Sequence, residues 1–583
     1  MNKHLVIVGG VAAGASAAAK ARRTDEQIEI TLLEAGPYIS FANCGLPYYV
    51  GGEITNRARL FVTDAERFAR RFRVDVRVNT RVTSVDRHRK ALTVARSDGA
   101  REEMPYDRLV LATGSIGIVP PIRGVDRENV FTLRTVPDAD AITAHLARLV
   151  SGERETVESD MAAEAPTRAL VIGGGYIGLE AAEQLHRRGL KVTLVEMAPQ
   201  LMLALDPEMA EPLRLALVEA GCDVILRDAV GEIAKENDQT FAITQSGRRL
   251  PFNVAVLAVG VRPDVGLAKA AGIALGETGG IQVDECQRTS DPAIYAAGDN
   301  CEARHLVLGR PVNIPLAGPA TKAGRVAGAN AAMDLADVPE DDPTRLRLRG
   351  VLGTAVVRVY KTVAAVTGLT EFQARREGID AEVTYIPGRS HAGYYPGAER
   401  MMLKLLYAPD TGRILGAQIV GGEGVDKRAD VLATAITAGM TVEDLEQLDL
   451  CYAPPFGSAR DLVVLGGFVA ANTSRGQMPA VTPHELLEHL AGEDAPFLVD
   501  DRSAKEYAAG HLGGAINIPI DELRQRMDEV PADRPVIIYC ATGYRSYIGQ
   551  RILMNHGRRN VRNLLGGYRL IQQVQASRKE ALD

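Results

Sequence analysis

The sequence predicts an α/β protein of several domains, built on two Rossmann-like βαβ units and ending in a separate α/β module. Two observations predict the first part: a glycine turn between an apolar strand and a helix occurs twice, and each time an acid closes the following strand. A third predicts the rest. At 583 residues the chain exceeds what one hydrophobic core organises, and its periodic pattern lapses near residues 457–480 before a new strand and helix series begins.

The first unit is HLVIVGGVAAGASAAAKARR, residues 4–23, followed by EITLLEAG, whose strand ends on Glu34. Gly9, Gly10 and Gly14 form G-G-x-x-x-G, an imperfect fingerprint that taken alone leaves both a tight turn and a nucleotide site open. The second unit, residues 169–198, has Gly173, Gly175 and Gly178 at the full G-x-G-x-x-G spacing and closes its next strand on Glu196. Such glycines let a pyrophosphate approach a helix N-terminus, and the acid binds a ribose hydroxyl. Two units therefore imply two dinucleotides. LVLATGS (109–115, with Thr113 and Gly114), VAVLAVGVRP (254–263, with Gly260) and IYAAGDN (294–300) each run from an apolar strand into a small-residue turn. Asp299, in the last of these, suits a hydrogen bond from a sugar-like hydroxyl or the cap of the Gly/Ala-rich helix that starts near Ala317.

A formal net charge of −7 argues against a general nucleic-acid surface and still permits a local basic pocket. No apolar run approaches the roughly 20 residues of a membrane span, and the N-terminus lacks a signal-peptide pattern, so a cytoplasmic protein is expected. The six cysteines, Cys44, Cys222, Cys286, Cys301, Cys451 and Cys540, show neither CxxC nor metal-ligand spacing, which predicts reduced thiols and no metal centre.

GGVAAG, SFANCGLPY, ATGS, GGGYIGLE, YAAGD and YAPPF, in that order, resemble the pyridine nucleotide disulfide oxidoreductases, and the single-cysteine SFANCGLPYY resembles their coenzyme A disulfide reductase branch. The resemblance implies an FAD domain (1–115 and 251–325) interrupted by an NAD(P)H domain (116–250). An α+β dimerisation domain (326–456) then reaches the partner's active site in a homodimer. It makes Cys44 the redox cysteine, opening a helix beside the flavin whose dipole favours the thiolate. No second cysteine lies nearby in sequence, so Cys44 is expected to cycle through a mixed disulfide, a persulfide or a sulfenic acid.

The same resemblance gives the cofactor contacts as the glycines above with Glu34, Thr113, Gly114, Arg134, Gly260, Asp299, Ala317 and Glu196. It sets Glu180 near nicotinamide and flavin, although a glutamate on a helix surface commonly has no role. Coenzyme A, as bound ligand or substrate carrier, falls to Lys20, Arg23, Ser40, Asn43 and Arg71. The bland account of AKARR is a solvated helix end stabilised by its dipole. Tyr452 approaches the cysteine across the dimer as a proton donor, or simply fills the interface, and Tyr360 is a second such tyrosine or part of an interface strand. Glu196 favours NADH by repelling a 2′-phosphate, while Arg187, Arg188 or Lys191 keep NADPH open.

After the linker at 457–480, residues 481–583 resemble a single rhodanese domain through EYAAGHLGGAINIP and the loop from Cys540 to Arg545. Cys540 would accept sulfane sulfur in a nest of backbone N–H groups, and Arg545 would help hold an anionic donor. The fusion implies an FAD-dependent NAD(P)H:sulfur oxidoreductase that reduces coenzyme A persulfide or polysulfide to hydrosulfide. The alternatives are a coenzyme A disulfide reductase, an NADH oxidase or peroxidase, and a thiosulfate sulfurtransferase.

Overall fold

The structure, a computed structural model, describes residues 3–151, 166–237, 239–492 and 494–580. The chain forms two compact units, Met1–Met197 with Gly221–Gly353, and Ala198–Ala220 with Thr354–Asp583.

The first unit holds two five-stranded parallel sheets that share the arrangement of their inner strands but take the edge strand from opposite ends of the chain segment. In one the order is Ile294–Ala296, Arg108–Leu111, His4–Val8, Glu29–Leu33 and Asp75–Arg77. In the other it is Val130–Thr132, Val254–Leu257, Arg168–Ile172, Lys191–Val195 and Asp223–Ile225. In each, a three-stranded antiparallel meander bridges the same two positions: Thr80–Asp86, Ala91–Arg96 and Arg101–Pro105 in the first, Val230–Glu236, Gln239–Thr244 and Arg249–Phe252 in the second. After their first residue the central strands His4–Val8 and Arg168–Ile172 are apolar and buried, because they are covered on both faces.

Val254–Leu257 corrects the expected boundary at residue 250. It pairs with Arg168–Ile172 in the second sheet and does not return to the first. The expected start of the dimerisation domain at 326 also moves, since the helix Ala317–Leu335 runs unbroken through it and packs on the helix Ala12–Thr24. Gly324 and Gly328 explain how closely: a Cβ at either would collide with the backbone of Ala13 or Ala17.

The second unit holds an antiparallel sheet in the order Ala355–Val359, Thr362–Gly368, Ile414–Gly421, Arg400–Tyr407 and Glu382–Arg389. The helix Pro207–Ala220, read from sequence as part of the second nucleotide domain, packs on this sheet. The expected linker at 457–480 is mostly the helix Leu462–Ser474, capped by Asp461, which also pairs with the buried Arg428. LVVLGGFVAA is apolar on every face, so it has no amphipathic period to read. A parallel sheet follows in the order Ala480–Val481, Val561–Leu564, Val536–Tyr539, Phe497–Asp500 and Ile516–Asn517. No helix among the described residues is long and apolar enough to cross a membrane.

Candidate active site

The two glycine turns are built alike despite their unequal fingerprints. Gly9 and Gly173 have φ of +101° and +109°, and a Cβ at Gly14 or Gly178 would fall on the carbonyl oxygen of Gly9 or Gly173. Val11 occupies the position of Gly175, where a Cβ meets nothing within 4 Å. The protein's own backbone thus demands the first and third glycines, and the middle one only leaves room for a ligand. Neither following helix has a side-chain cap, so their leading N–H groups stay available to a pyrophosphate. Glu34 accepts from Gly10 N–H at 2.7 Å and Glu196 from Gly174 N–H at 2.6 Å, which fixes each acid beside its turn. Gly178→Ala is expected to lower affinity for the nicotinamide dinucleotide about tenfold or more, with flavin content unchanged. A fluorescence titration reads the effect, and unchanged affinity would remove this turn from the site.

A polar cluster lies between these turns. Asp299 accepts from Ser115 Oγ at 2.9 Å, and Ser115 accepts from Arg134 Nη2 at 3.0 Å. Arg134 Nε is buried without a hydrogen-bond partner. Asp299 therefore does not cap the helix at Ala317, whose preceding residue Leu316 carries no side-chain cap. Thr113 donates to Asp264 O at 2.6 Å, and Gly114 and Gly260 take left-handed conformations at the neighbouring strand ends. The orphan guanidinium N–H, the uncapped helices and the two acids fit two bound dinucleotides.

Cys44 is exposed in the single turn Asn43–Gly45, which leads into the helix Leu46–Gly51. Asn43 donates to Arg134 O at 3.0 Å, tying the turn to the polar cluster. Tyr48 donates to Glu180 at 3.0 Å, and Gly51 lies hard against Gln184, so this helix packs on the one that follows the second glycine turn. Cys44 thus stands where the two nucleotide units meet. Desolvation and then the Glu180 carboxylate push its thiol up, offset only in part by the turn's backbone and by Arg134. These influences run against the expected dipole stabilisation of the thiolate: the helix has six residues, and Glu180 adds a like charge.

Among the expected coenzyme A contacts, Lys20 and Arg23 lie on Ala12–Thr24, and Arg325 joins them from Ala317–Leu335. Desolvation and the charges of Arg325 and Arg23 push the Lys20 ammonium down. Sequence reasoning missed Arg325, which lies far along the chain and joins the cluster only through helix packing. Arg22, also in AKARR, is the structural cation: it is buried and donates to the carbonyls of Asp25, Ile28, Phe72 and Arg73. Ser40 is held by backbone hydrogen bonds to Gly10 and Val62, and Arg71 is exposed on Ala65–Phe72.

In the second unit, Tyr452 is half exposed and its hydroxyl lies 3.0 Å from that of Tyr394, a residue the sequence reading did not select. Phe456 is exposed close by in sequence, and Tyr360 sits at φ +53° in the hairpin turn between Ala355–Val359 and Thr362–Gly368, not within a strand. Asp206, Glu208 and Glu371 are the described acids grouped closely enough for a metal, and the Lys404 ammonium sits among them at 2.6–2.7 Å.

Cys540 is buried at the end of Val536–Tyr539, where Gly543 N–H donates to its sulfur at 3.0 Å and Thr542 N–H at 3.4 Å. Burial opposes charge on the sulfur, yet Ser546, Thr542 and Gly543 together hold the thiol below its ordinary value. Arg545 is committed to a fork with Glu506, at 2.8 Å for both bonds, which leaves less of it for a donor than expected. A groove of about 940 Å³ opens beside this loop at Thr542 and Gly566 and is lined by Lys361, Arg389, Arg400 and Arg569 together with the acid Glu399. None of these four cations has an ion-pair partner among the described residues.

Comparison with known proteins places this geometry in a family. Residues 3–334 match the pyridine nucleotide-disulphide oxidoreductase model, 354–463 its dimerisation domain, and 482–573 the rhodanese-like domain. The chain is 35% identical to the NAD(P)H coenzyme A polysulfide/persulfide reductase of Pyrococcus horikoshii, over 80% of this chain and 98% of the relative. It is 30% identical to a coenzyme A disulfide reductase of Staphylococcus aureus, over 80% and 99%. Two solved structures match nearly end to end. Reduced CoADR-RHD of Bacillus anthracis has 41% identity and a TM-score of 0.91, covering 99% of both chains. A NAD-dependent persulfide reductase of A. fulgidus has 37% identity and a TM-score of 0.85, covering 97% and 99%.

Proposed function

The chain belongs to the pyridine nucleotide-disulphide oxidoreductase family, and from that premise we propose that it reduces coenzyme A persulfide or polysulfide to hydrosulfide through Cys44, with Cys540 handling sulfane sulfur. The observation that carries this reading is the cradle at Cys540, a buried thiol held acidic by loop N–H groups. A plain disulfide reductase has no use for such a group, whereas a sulfur acceptor needs one.

The Gly9–Gly14 turn with Glu34 would hold FAD and the Gly173–Gly178 turn with Glu196 would hold NAD(P)H, which together would supply two electrons per turnover. The Cys44 thiolate attacks the inner sulfur of coenzyme A persulfide, forming a mixed disulfide and releasing hydrosulfide. Two electrons and one proton then cleave that disulfide to the Cys44 thiolate and coenzyme A thiol. Lys20, Arg23 and Arg325 hold the carrier's phosphates by charge-assisted hydrogen bonds. The chain works as a homodimer in which Tyr452, with Tyr394 on its hydroxyl, and Tyr360 serve the other copy's redox turn and protonate the leaving thiolate. The cationic groove admits anionic sulfur donors to Cys540.

NADH is the preferred donor. Glu196 stands at its turn, and of the cations that might take a 2′-phosphate, Arg187 pairs with Glu183 at 2.8 Å and Lys191 with Asp223 at 3.5 Å. The protein is cytoplasmic in this reading, in keeping with six cysteines whose spacing shows no disulfide framework. The test is anaerobic NADH oxidation with coenzyme A persulfide and, separately, coenzyme A disulfide. One hydrosulfide per NADH from the persulfide is expected. Turnover with the disulfide alone, or oxygen consumption without any sulfur substrate, would reject the persulfide assignment.

A further inference from the structure

Next to Cys540 lies an ionisable group that the chemistry above does not use. Asp501 follows the strand Phe497–Asp500, with its N–H donating to Tyr539 O at 3.0 Å and its carbonyl accepting from Ile520 N–H at 3.1 Å. Its side chain is fully buried, and neither carboxyl oxygen has a hydrogen-bond partner. The helix Tyr544–Asn555, whose first turn cradles Cys540, covers it: Oδ2 is 3.3 Å from where a Cβ at Gly549 would stand, so that glycine leaves the carboxyl its space. The preceding residue is treated in the opposite way. Asp500 is gripped by the Arg502 fork at 2.6–3.1 Å and by the Arg502 N–H.

The charged groups that face Asp501 are Cys540, Arg545 and Asp500. Asp500 is neutralised by Arg502, and Arg545 shares its charge with Glu506. An ionised carboxylate with no hydrogen bond in such a place is strongly disfavoured. Burial, then the Cys540 charge, push the Asp501 acid up to about 9 against the pull of Arg545. The thiol beside it is held low, so the two groups titrate as a pair.

We propose that Asp501 is the proton holder for Cys540: the Asp501 carboxylate takes the proton from the Cys540 thiol, giving a thiolate and a neutral carboxylic acid, with no proton lost to solvent. The sulfur acceptor is thereby charged while a second negative charge is kept away from incoming anionic donors. When Cys540 accepts a sulfane sulfur, the bond from that sulfur to its donor breaks with its electron pair, the new Cys540–S–S⁻ keeps the site's single negative charge, and Asp501 stays protonated. This rests on the reading of Cys540 as a sulfur acceptor.

The test uses infrared difference spectra of the full chain, with Asp501→Asn to assign the band. A protonated-carboxyl band present at pH 7, titrating near pH 9 and absent in the variant, is expected. In Cys540→Ser the midpoint falls by about one unit or more, because no thiolate holds the proton on. No band at pH 7, or a midpoint indifferent to Cys540→Ser, would overturn the proposal. Should Asp501→Asn fail to fold, the shift in Cys540→Ser still decides it. With thiosulfate as donor and cyanide as acceptor, the wild-type rate falls above the same midpoint and that of Asp501→Asn does not. If wild type transfers no sulfur at all, the acceptor reading fails and the infrared result judges the pair by itself.

Discussion

Cys44→Ser is expected to lower NADH-dependent hydrosulfide release from coenzyme A persulfide on the order of a thousandfold or more. A serine hydroxyl is not ionised near neutral pH and cannot form the mixed disulfide. No other thiol is ready to replace it in its unit, where Cys222 and Cys301 are buried and Cys286 is half-buried. Desolvation by its surroundings and Glu180 already hold the Cys44 thiol up, so activity should rise with pH through the Cys44 titration, and Glu180→Gln should shift that rise to lower pH. The flavin spectrum of the variant and its thiosulfate:cyanide transfer at Cys540 should match wild type. A Cys44→Ser enzyme within tenfold of wild type would sink the mechanism.

Lys404→Met is expected to destabilise the second unit by about 3–5 kcal/mol. Lys404, 2% exposed, places its ammonium 2.6 Å from Glu208, 2.7 Å from Asp206 and 2.7 Å from Glu371. Tyr385 and Gln418 complete the hydrogen bonding, and Asp206 also accepts from the N–H groups of Glu371 and Phe372. Without the lysine, three carboxylates face one another in the dry. The Lys404 ammonium and the hydrogen bonds of His484 and Tyr385 hold the Glu208 carboxyl far below its usual range despite burial. Its contribution is therefore present above the unfolded value of about 4.3 and is lost as pH falls through the folded one. Lys404 is raised, so its share is present below about 10.4 and lost as pH rises through the folded value. Between those limits the variant's deficit should be full, and it should shrink on acidification as its carboxylates take up protons. Hydrogen exchange of the strand Arg400–Tyr407 measures it. A deficit under about 1 kcal/mol, or one independent of pH, would show that the cluster does not support this unit.

What the sequence made legible was what local geometry forces. The glycine turns read clearly because Gly9, Gly14, Gly173 and Gly178 are positions where the backbone itself rejects a side chain. Cys44 and Cys540 stood out because short motifs surround them. What escaped was assembled from distant parts of the chain. Arg325 reaches Lys20 only after two helices pack, and Asp501 looks like an ordinary strand-end acid until its lack of partners is seen. Asp206 and Glu208 lie in a stretch between two elements of the second nucleotide unit, so nothing local signals that they answer to Lys404. The helix at Leu462–Ser474 was hidden by its own uniform apolarity.

The repeated sheets carry a consequence for synthesis. Apart from residues 198–220, the inner copy is written almost without interruption from Val130 to Leu257, whereas the outer one waits for its edge strand Ile294–Ala296 and for the helix ending at Leu335. On the ribosome the inner copy can close first. Until some 300 residues have followed it, the alanine-rich helix Ala12–Thr24 stands without its glycine-lined cover, and the nascent chain carries that uncovered surface for most of its length.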